Sequence, residues 1–441
     1  MSQIPQSVIV HPRENLGGSI EVPGDKSISH RVAMMAALAS GTTKISNFLQ
    51  SEDCVNTLRA MEALGARSFF TEEGDLTIQG TGGNLLEPAG PLNVGNSGTT
   101  IRLLAGILAG QSATYELTGD DSLCSRPMTR IKDPLERMGA KVELTGEKGT
   151  APIKITGGRL KPINYTLPVA SAQVKSCLLL AGLFAEGVTS VTEPIPTRDH
   201  TERLFRTLGI PINVDGLTVQ ITGFGPSGPS LKARPFRIPG DFSSAAFWLV
   251  AAAARRKSVV NIAGVGLNPR RIALLDVLKR AGAQVEVKLS SANSDAEPVG
   301  DIRITGGKLK AVEVGGADIP NLIDELPLVA VLGALAEGTT IIRNAAELRV
   351  KESDRIATMA ANLRLMGVEV EERDDGMAIQ GGGALKASAP VRSYGDHRIA
   401  MAMAVLATCA EEPVVINNVA CVDTSYPGFW NDLKQIGGQV E

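Results

Sequence analysis

Residues 274–287 read LLDVLKRAGAQVEV: an amphipathic helical stretch, a glycine, then a short β-branched strand. The same pattern recurs five more times, as LRAMEALGARSFF (58–70), PLERMGAKVEL (134–144), RLFRTLGIPINV (203–214), NLRLMGVEVEE (362–372) and NDLKQIGGQVE (431–441). The glycines are Gly65, Gly139, Gly209, Gly282, Gly367 and Gly437, at successive spacings of 74, 70, 73, 85 and 70 residues. A fixed period of this kind marks a repeated supersecondary unit. Each glycine stands where a helix must stop, and glycine takes the left-handed C′ conformation at least steric cost.

Upstream of each copy lies a helix of another kind: SHRVAMMAALA, TTIRLLAGILAG, AQVKSCLLLAGLFA, SSAAFWLVAAAA, ELPLVAVLGALA and HRIAMAMAVLA. These are apolar nearly all round, so they require enclosure rather than one covered face. Most lead through a turn into a strand such as TTKISNF or VTSVTEP, and five copies close on a further strand ending in glycine, for example LTIQGTGG and IKITGG. Each unit therefore reads strand, buried helix, strand, amphipathic helix, strand, strand. Six units predict an α/β protein of two domains with three units each, the apolar helices inside and the sheets outside. The Gly/Pro-rich segment FGPSGPSLKARPFRIPGD suits a crossover between domains, and Val22–Gly24 supplies the other. The expected domains are residues 1–23 with 241–441, and residues 24–240. An open Gly-rich solenoid is the competing arrangement, disfavoured by helices without a polar face.

Composition bounds the function. The 441 residues are 43% hydrophobic and 21% charged, an ordinary globular profile. A net charge of −3, from 44 basic and 47 acidic side chains, creates no bulk field for nucleic acid or anionic membrane. Aromatics are only 4%, which leaves few stacking platforms. The five cysteines and four histidines stand in no metal-ligand spacing, so a reduced protein without metal or other cofactor is expected. The stretch MSQIPQSVIVHPREN lacks the pattern of a signal or transit peptide, and no apolar run approaches the ~20 residues that span a bilayer. A cytoplasmic monomer acting on small molecules is the resulting expectation.

Polar and charged residues gather at the starts of the apolar helices: GDKSISHR, GNSGTTIR, ASAQVK, GDFSS, IDEL and GDHR. Helix capping accounts for one Ser, Asn or Asp per helix. It leaves the lysines and arginines unexplained, since a cation at a helix N-terminus opposes the dipole by about 0.3–1 kcal/mol. Two cations 4 Å apart repel by roughly 4 kcal/mol at an intermediate dielectric. Helix N-termini with Lys, Arg, Ser and glycine are the parts of a phosphate site. No P-loop, dinucleotide fingerprint or GxSxG elbow is present.

GDKSISHR, GNSGTTIRLLAG, SRPMTRI, SAQVKS, LIDELP, RVKESDR and YGDHRIAMA, in this order, closely resemble the 5-enolpyruvylshikimate-3-phosphate synthase family. The resemblance implies the two-domain inside-out α/β fold of the enolpyruvyl transferases, with the site in the cleft between domains. It also implies a metal-free reaction of shikimate 3-phosphate with phosphoenolpyruvate in the shikimate pathway. By similarity, Lys26 would touch both substrates, and Ser27 and Arg31 the shikimate carboxylate. Asn96, Gly98, Thr99 and Arg126 would receive the phosphoenolpyruvate phosphate. Ser171, the Ala172 backbone and Arg198 would bind the shikimate phosphate, and Gln173 would lie against the ring, also serving phosphoenolpyruvate. Asp324 and Lys351 would hold the reacting hydroxyls, Glu352 would share proton transfer with Asp324, and Arg355 and Arg398 would clamp the phosphoenolpyruvate carboxylate.

Capping by Asp324, and an exposed ion pair among Lys351, Glu352 and Arg355, are the plainer alternatives for those residues. Asp396 and His397 read as supports. Arg102 and Lys175 read as surface charges with no role. The sequence departs from many members at three positions. Ala172 stands for a second Ser, Glu347 for an Asn near the shikimate hydroxyls, and Thr424 for a Lys at phosphoenolpyruvate. Thr424 argues against tight binding of the analogue glyphosate, whereas the open space at Gly98 favours it. Two rivals remain. The UDP-N-acetylglucosamine enolpyruvyl transferases carry a loop cysteine about five residues before an Arg-Pro pair, but here Cys124 lies two before Arg126. A non-catalytic phosphometabolite-binding protein would gain nothing from Asp324 and Glu352 among its anion ligands.

Overall fold

The computed structural model describes residues 6–291 and 296–441. Residues 1–5, part of the N-terminal stretch read above for a leader, lie outside the described residues. The chain divides into two compact units, one of residues 6–23, 239–291 and 298–441, the other of 24–238 with Ala296 and Glu297.

Among the described residues each unit contains three four-stranded sheets, and these six sheets repeat one strand order. In Asn164–Thr166, Val188–Thr192, Thr218–Thr222 and Ile212–Asp215, the strand before the buried helix pairs parallel with the strand after it. That second strand pairs antiparallel with the fourth, and the fourth with the third. The six apolar helices are Lys26–Leu38, Gly98–Ala109, Ala172–Gly182, Phe242–Ala253, Leu326–Leu335 and His397–Ala407. Every residue of Phe242–Ala253 is buried, as a helix without a polar face demands. The helices form the centre of a separate apolar core in each unit.

All six repeat glycines, Gly65 to Gly437, adopt positive φ. The glycines that close the fourth strands have a different reason. A Cβ on Gly80, Gly157, Gly223, Gly306 or Gly381 would lie between 1.8 and 2.2 Å from a carbonyl oxygen at the end of the buried helix beneath it. Bare backbone there lets the sheet approach its helix.

Two features depart from a simple run of six units. The sixth copy has no closing strand of its own; Ser7–His11, from the chain's start, fills that place between Val414–Asn417 and Gln439–Val440. Gly17–Glu21 precedes the first buried helix in sequence but pairs with Val259–Gly266 of the fourth copy. Phe236–Arg237, just before the fourth buried helix, pairs instead with Thr42–Ser46 of the first. First strands are thus exchanged where the chain passes between units.

Candidate active site

The unit of residues 24–238 ties three helix starts together. Asp25 caps the first, accepting from the Ile28 N–H at 2.9 Å, and Ser97 caps the second, accepting from Thr100 N–H at 3.1 Å. Ser171 caps the third, accepting from Val174 N–H at 3.3 Å. Caps stabilise these ends but leave other N-terminal N–H groups, including that of Ala172 at the first helical position, without intrahelical partners. His30 Nδ1 lies 2.7 Å from Thr57 Oγ1, which lies 2.6 Å from Thr100 Oγ1, and this links the first helix start to the second. Gln173 donates to Thr99 Oγ1 at 3.1 Å, linking the third to the second. Arg31 donates to Ser176 Oγ at 2.9 Å, to Thr201 Oγ1 at 2.8 Å and to the Ser27 carbonyl at 2.8 Å, linking the first to the third.

On this frame the Lys26 ammonium sits 3.1 Å from the Asp53 carboxylate. Arg126 donates to Asn96 Oδ1 at 2.6 Å, and Asn96 Nδ2 donates to Asp120 at 2.8 Å. A Cβ on Gly98 would stand 2.9 Å from the Arg102 guanidinium and 3.1 Å from that of Arg126. Burial depresses the Arg31 pKa to about 10; Glu202 and Asp25 oppose that shift and the charge of Arg198 adds to it. The charge of Arg198 thus acts on Arg31 as a like charge, which Glu202, Asp25 and Glu297 oppose.

The other unit ties its three helix starts through carboxylates. Asp241 caps Phe242–Ala253 and Asp396 caps His397–Ala407. Ser243 donates to Glu325, the N-cap residue of Leu326–Leu335, whose side chain makes no capping bond. Asp324 does not cap that helix. Its carboxylate lies 3.5 Å from Arg271, 3.6 Å from Arg355 and 3.8 Å from Arg398, and its carbonyl accepts from Arg398 at 2.8 Å. Arg355 is 1% exposed and is held by Asp396 at 2.8 Å and Glu352 at 2.6 Å. Burial alone would lower its pKa, but Asp396, Glu352 and Asp324 hold it well above the ordinary arginine value. The exposed ion-pair alternative for Glu352 and Arg355 therefore fails on burial. Lys351 is half-buried and ends the 3-10 turn Ala346–Val350, in which Glu347 lies. Thr424 Oγ1 stands 3.3 Å from His397 Nδ1.

Every residue named from the sequence for the site is buried or half-buried. Two sequence readings need correction. Lys175 is no surface charge: it is 1% exposed, with Glu193 at 2.8 Å and Glu202 at 2.7 Å. Arg102 is half-buried and donates to Gln173 Oε1 at 2.8 Å and to the Gly98 carbonyl at 3.2 Å, so it orients the Gln173 amide. Sequence reasoning also passed over Asp53 and Arg271. Nothing in NPRR marks Arg271 above Arg270, and only packing separates them. Among the described residues no group of three His, Cys, Asp or Glu side chains is arranged to hold a metal ion, and no helix is long and apolar enough to cross a membrane. The five cysteines form no disulfide.

The solved structure of the enolpyruvyl transferase NikO from Streptomyces tendae shares this fold, with a TM-score of 0.77 at 20% identity over 99% of both chains. A solved EPSP synthase from Acinetobacter baumannii gives a TM-score of 0.86 at 43% identity, covering 99% of this chain and all of the other. The family model for EPSP synthase (3-phosphoshikimate 1-carboxyvinyltransferase) matches residues 10–433. The 3-phosphoshikimate 1-carboxyvinyltransferases of Akkermansia muciniphila and Geobacillus thermodenitrificans are 53% and 49% identical, covering 96% and 98% of this chain and 98% of each relative. The chain belongs to the EPSP synthase family.

Proposed function

We infer that this protein transfers the enolpyruvyl group of phosphoenolpyruvate to the 5-hydroxyl of shikimate 3-phosphate and releases phosphate. One observation supports it most strongly: each unit ties three helix starts together, and one of the two places Asp324 and Glu352 beside the buried Arg355. Anion binding alone is weakened by such carboxylates, whereas proton transfer needs them. In this reading the 5-hydroxyl oxygen attacks C2 and loses its proton while C3 gains one, giving a tetrahedral intermediate. Loss of a C3 proton then expels phosphate. Lys26, Asp324 and Glu352 carry the transfers, each step of this kind being worth about 10²–10⁴ in rate. Lys26, Ser27, Arg31, Ser171, Ala172, Gln173, Arg198, Asp324 and Lys351 hold shikimate 3-phosphate. Lys26, Asn96, Gly98, Thr99, Arg126, Gln173, Arg355 and Arg398 hold phosphoenolpyruvate. Fixed arginines in place of water supply orientation and electrostatic stabilisation.

A cytoplasmic monomer completes the reading; five cysteines without a disulfide agree with a reducing compartment, and size-exclusion chromatography tests the monomer. The function is tested by mixing purified protein with both substrates and following inorganic phosphate. Silence with shikimate 3-phosphate, but release with UDP-N-acetylglucosamine as acceptor, would transfer the activity to the sister reaction.

A further inference from the structure

Lys175 is among the most deeply buried charges of its unit, and the reaction above gives it no task. It stands on the first turn of Ala172–Gly182, with Glu193 and Glu202 both within 2.8 Å of its ammonium. Glu193 also accepts from Thr197 Oγ1. The next residue on each of two elements matters. Ser176 follows Lys175 and Thr201 precedes Glu202, and their hydroxyls lie 2.7 Å apart. Helices Ala172–Gly182 and His200–Thr207 are therefore stapled twice, once by the Lys175–Glu202 pair and once by the Ser176–Thr201 pair. Arg31 rests on the second staple, donating from Nε to Thr201 and from one terminal nitrogen to Ser176. Its plane is fixed by hydroxyls whose separation the adjoining ion pair sets.

We propose that Lys175 is a positioning residue for the carboxylate of shikimate 3-phosphate. By neutralising Glu193 and Glu202 it holds the hydroxyl pair that aims Arg31, and it leaves the Arg31 charge for the ligand. The proposal rests on the functional reading above. The charges support it. Two cations, Lys175 and Arg31, stand with two carboxylates, Glu193 and Glu202, in a buried cluster, and Glu202 is the strongest favourable charge acting on Arg31. Without Lys175, Glu202 keeps Arg31 and Arg203 as nearby cations, and Arg203 is already held by Asp199 at 2.9 Å; a buried carboxylate takes whatever counter-ion it can reach. Arg31 then turns toward protein rather than substrate.

The test compares Lys175→Met, Thr201→Val and the double variant Lys175→Met with Glu202→Gln, by phosphate release with each substrate varied in turn. Hydrogen bonds to a charged group are worth enough for a tenfold to hundredfold change. Lys175→Met and Thr201→Val should each raise KM for shikimate 3-phosphate by about tenfold or more and leave KM for phosphoenolpyruvate within about twofold. The double variant should recover most of the Lys175→Met loss, because it removes the carboxylate that competes for Arg31. Thr201→Val keeps both ion pairs, so the test survives a Lys175 variant that does not fold. A purely structural Lys175 would lower the melting temperature and leave both KM values of the folded enzyme alone. That result, or an equal rise in both KM values, overturns the proposal. Wild-type protein that releases no phosphate from the two substrates sinks the functional reading instead, and this inference with it.

Discussion

Replacing Gly98 by alanine adds one methyl group at the start of a buried helix, and the structure says what it meets. The new Cβ stands 2.9 Å from Arg102 and 3.1 Å from Arg126, where ordinary contact begins at 3.4 Å, so both guanidiniums must retreat by a few tenths of an ångström. Neither is loose. Arg126 is anchored on Asn96 at 2.6 Å, and Arg102 on Gln173 at 2.8 Å. Overpacking of this order costs about 1–3 kcal/mol. The cost falls on the groups proposed to hold phosphoenolpyruvate, so its KM should rise by about 5- to 150-fold, with a smaller change for shikimate 3-phosphate. Strain that the retreat leaves unrelieved also lowers global stability, offset by at most ~1 kcal/mol because alanine is the better helix former. Steady-state phosphate release gives the two KM values, and a thermal melt gives stability. A phosphoenolpyruvate KM within about twofold of wild type, with an undiminished melting temperature, would refute the placing of Arg126 and Gly98 at that substrate.

Asp324→Ala should retain shikimate 3-phosphate binding by calorimetry while turnover drops by about 10²–10⁴; near-normal turnover would remove Asp324 from the proton transfers. Burial, with Lys26 and Arg31 adding, holds the His30 pKa well below its usual 6.5. The unfolded chain protonates this histidine first, so its contribution to stability is complete above about pH 6.5 and is lost as pH falls below it, by at most about 1.4 kcal/mol per unit. Denaturant unfolding between pH 5 and 7 should show a shallower decline for His30→Gln; parallel curves would contradict this. Gly306→Ala places a Cβ 1.8 Å from the Arg255 carbonyl oxygen and should cost about 3 kcal/mol or more. Gly209→Ala, at φ +73° with open space around it, should cost only about 1–2 kcal/mol, and melting temperatures in that order check the pair.

The repeat was legible because helix termination and enclosure are local demands. A stop glycine and a helix apolar on all sides declare themselves within a dozen residues. Strand exchange was not legible: Gly17–Glu21 and Phe236–Arg237 both run into a β-branched residue followed by Pro-Gly-Asp, and only tertiary pairing decides which sheet each joins. The same holds for Ser7–His11, which completes a copy whose other strands lie at the opposite end of the chain. The wider spacing of 85 residues before Gly367 spans the long hairpin strands Gln284–Ser291 and Val299–Thr305. At the site, residue types at helix starts were readable, but partners were not. Lys175 sits one turn into a helix, where periodicity alone cannot tell a solvated amine from one enclosed by Glu193 and Glu202. Arg102 likewise needed the third helix start, carrying Gln173, to show its purpose.

The exchanged strands also set an order of assembly. Every strand of the inserted unit lies between residues 42 and 237, so its sheets can close as soon as that stretch has left the ribosome. The surrounding unit must wait: Gly17–Glu21 lacks its neighbour until Val259–Gly266 is made, and Ser7 lacks its own until Asn417 is made. Contacts so distant along the chain form slowly, and an unmatched strand edge meanwhile invites wrong pairing. Ser7–His11 and Gly17–Glu21 thus ride idle on the nascent chain while the whole inserted unit is made, and strands that emerge after it give them a home.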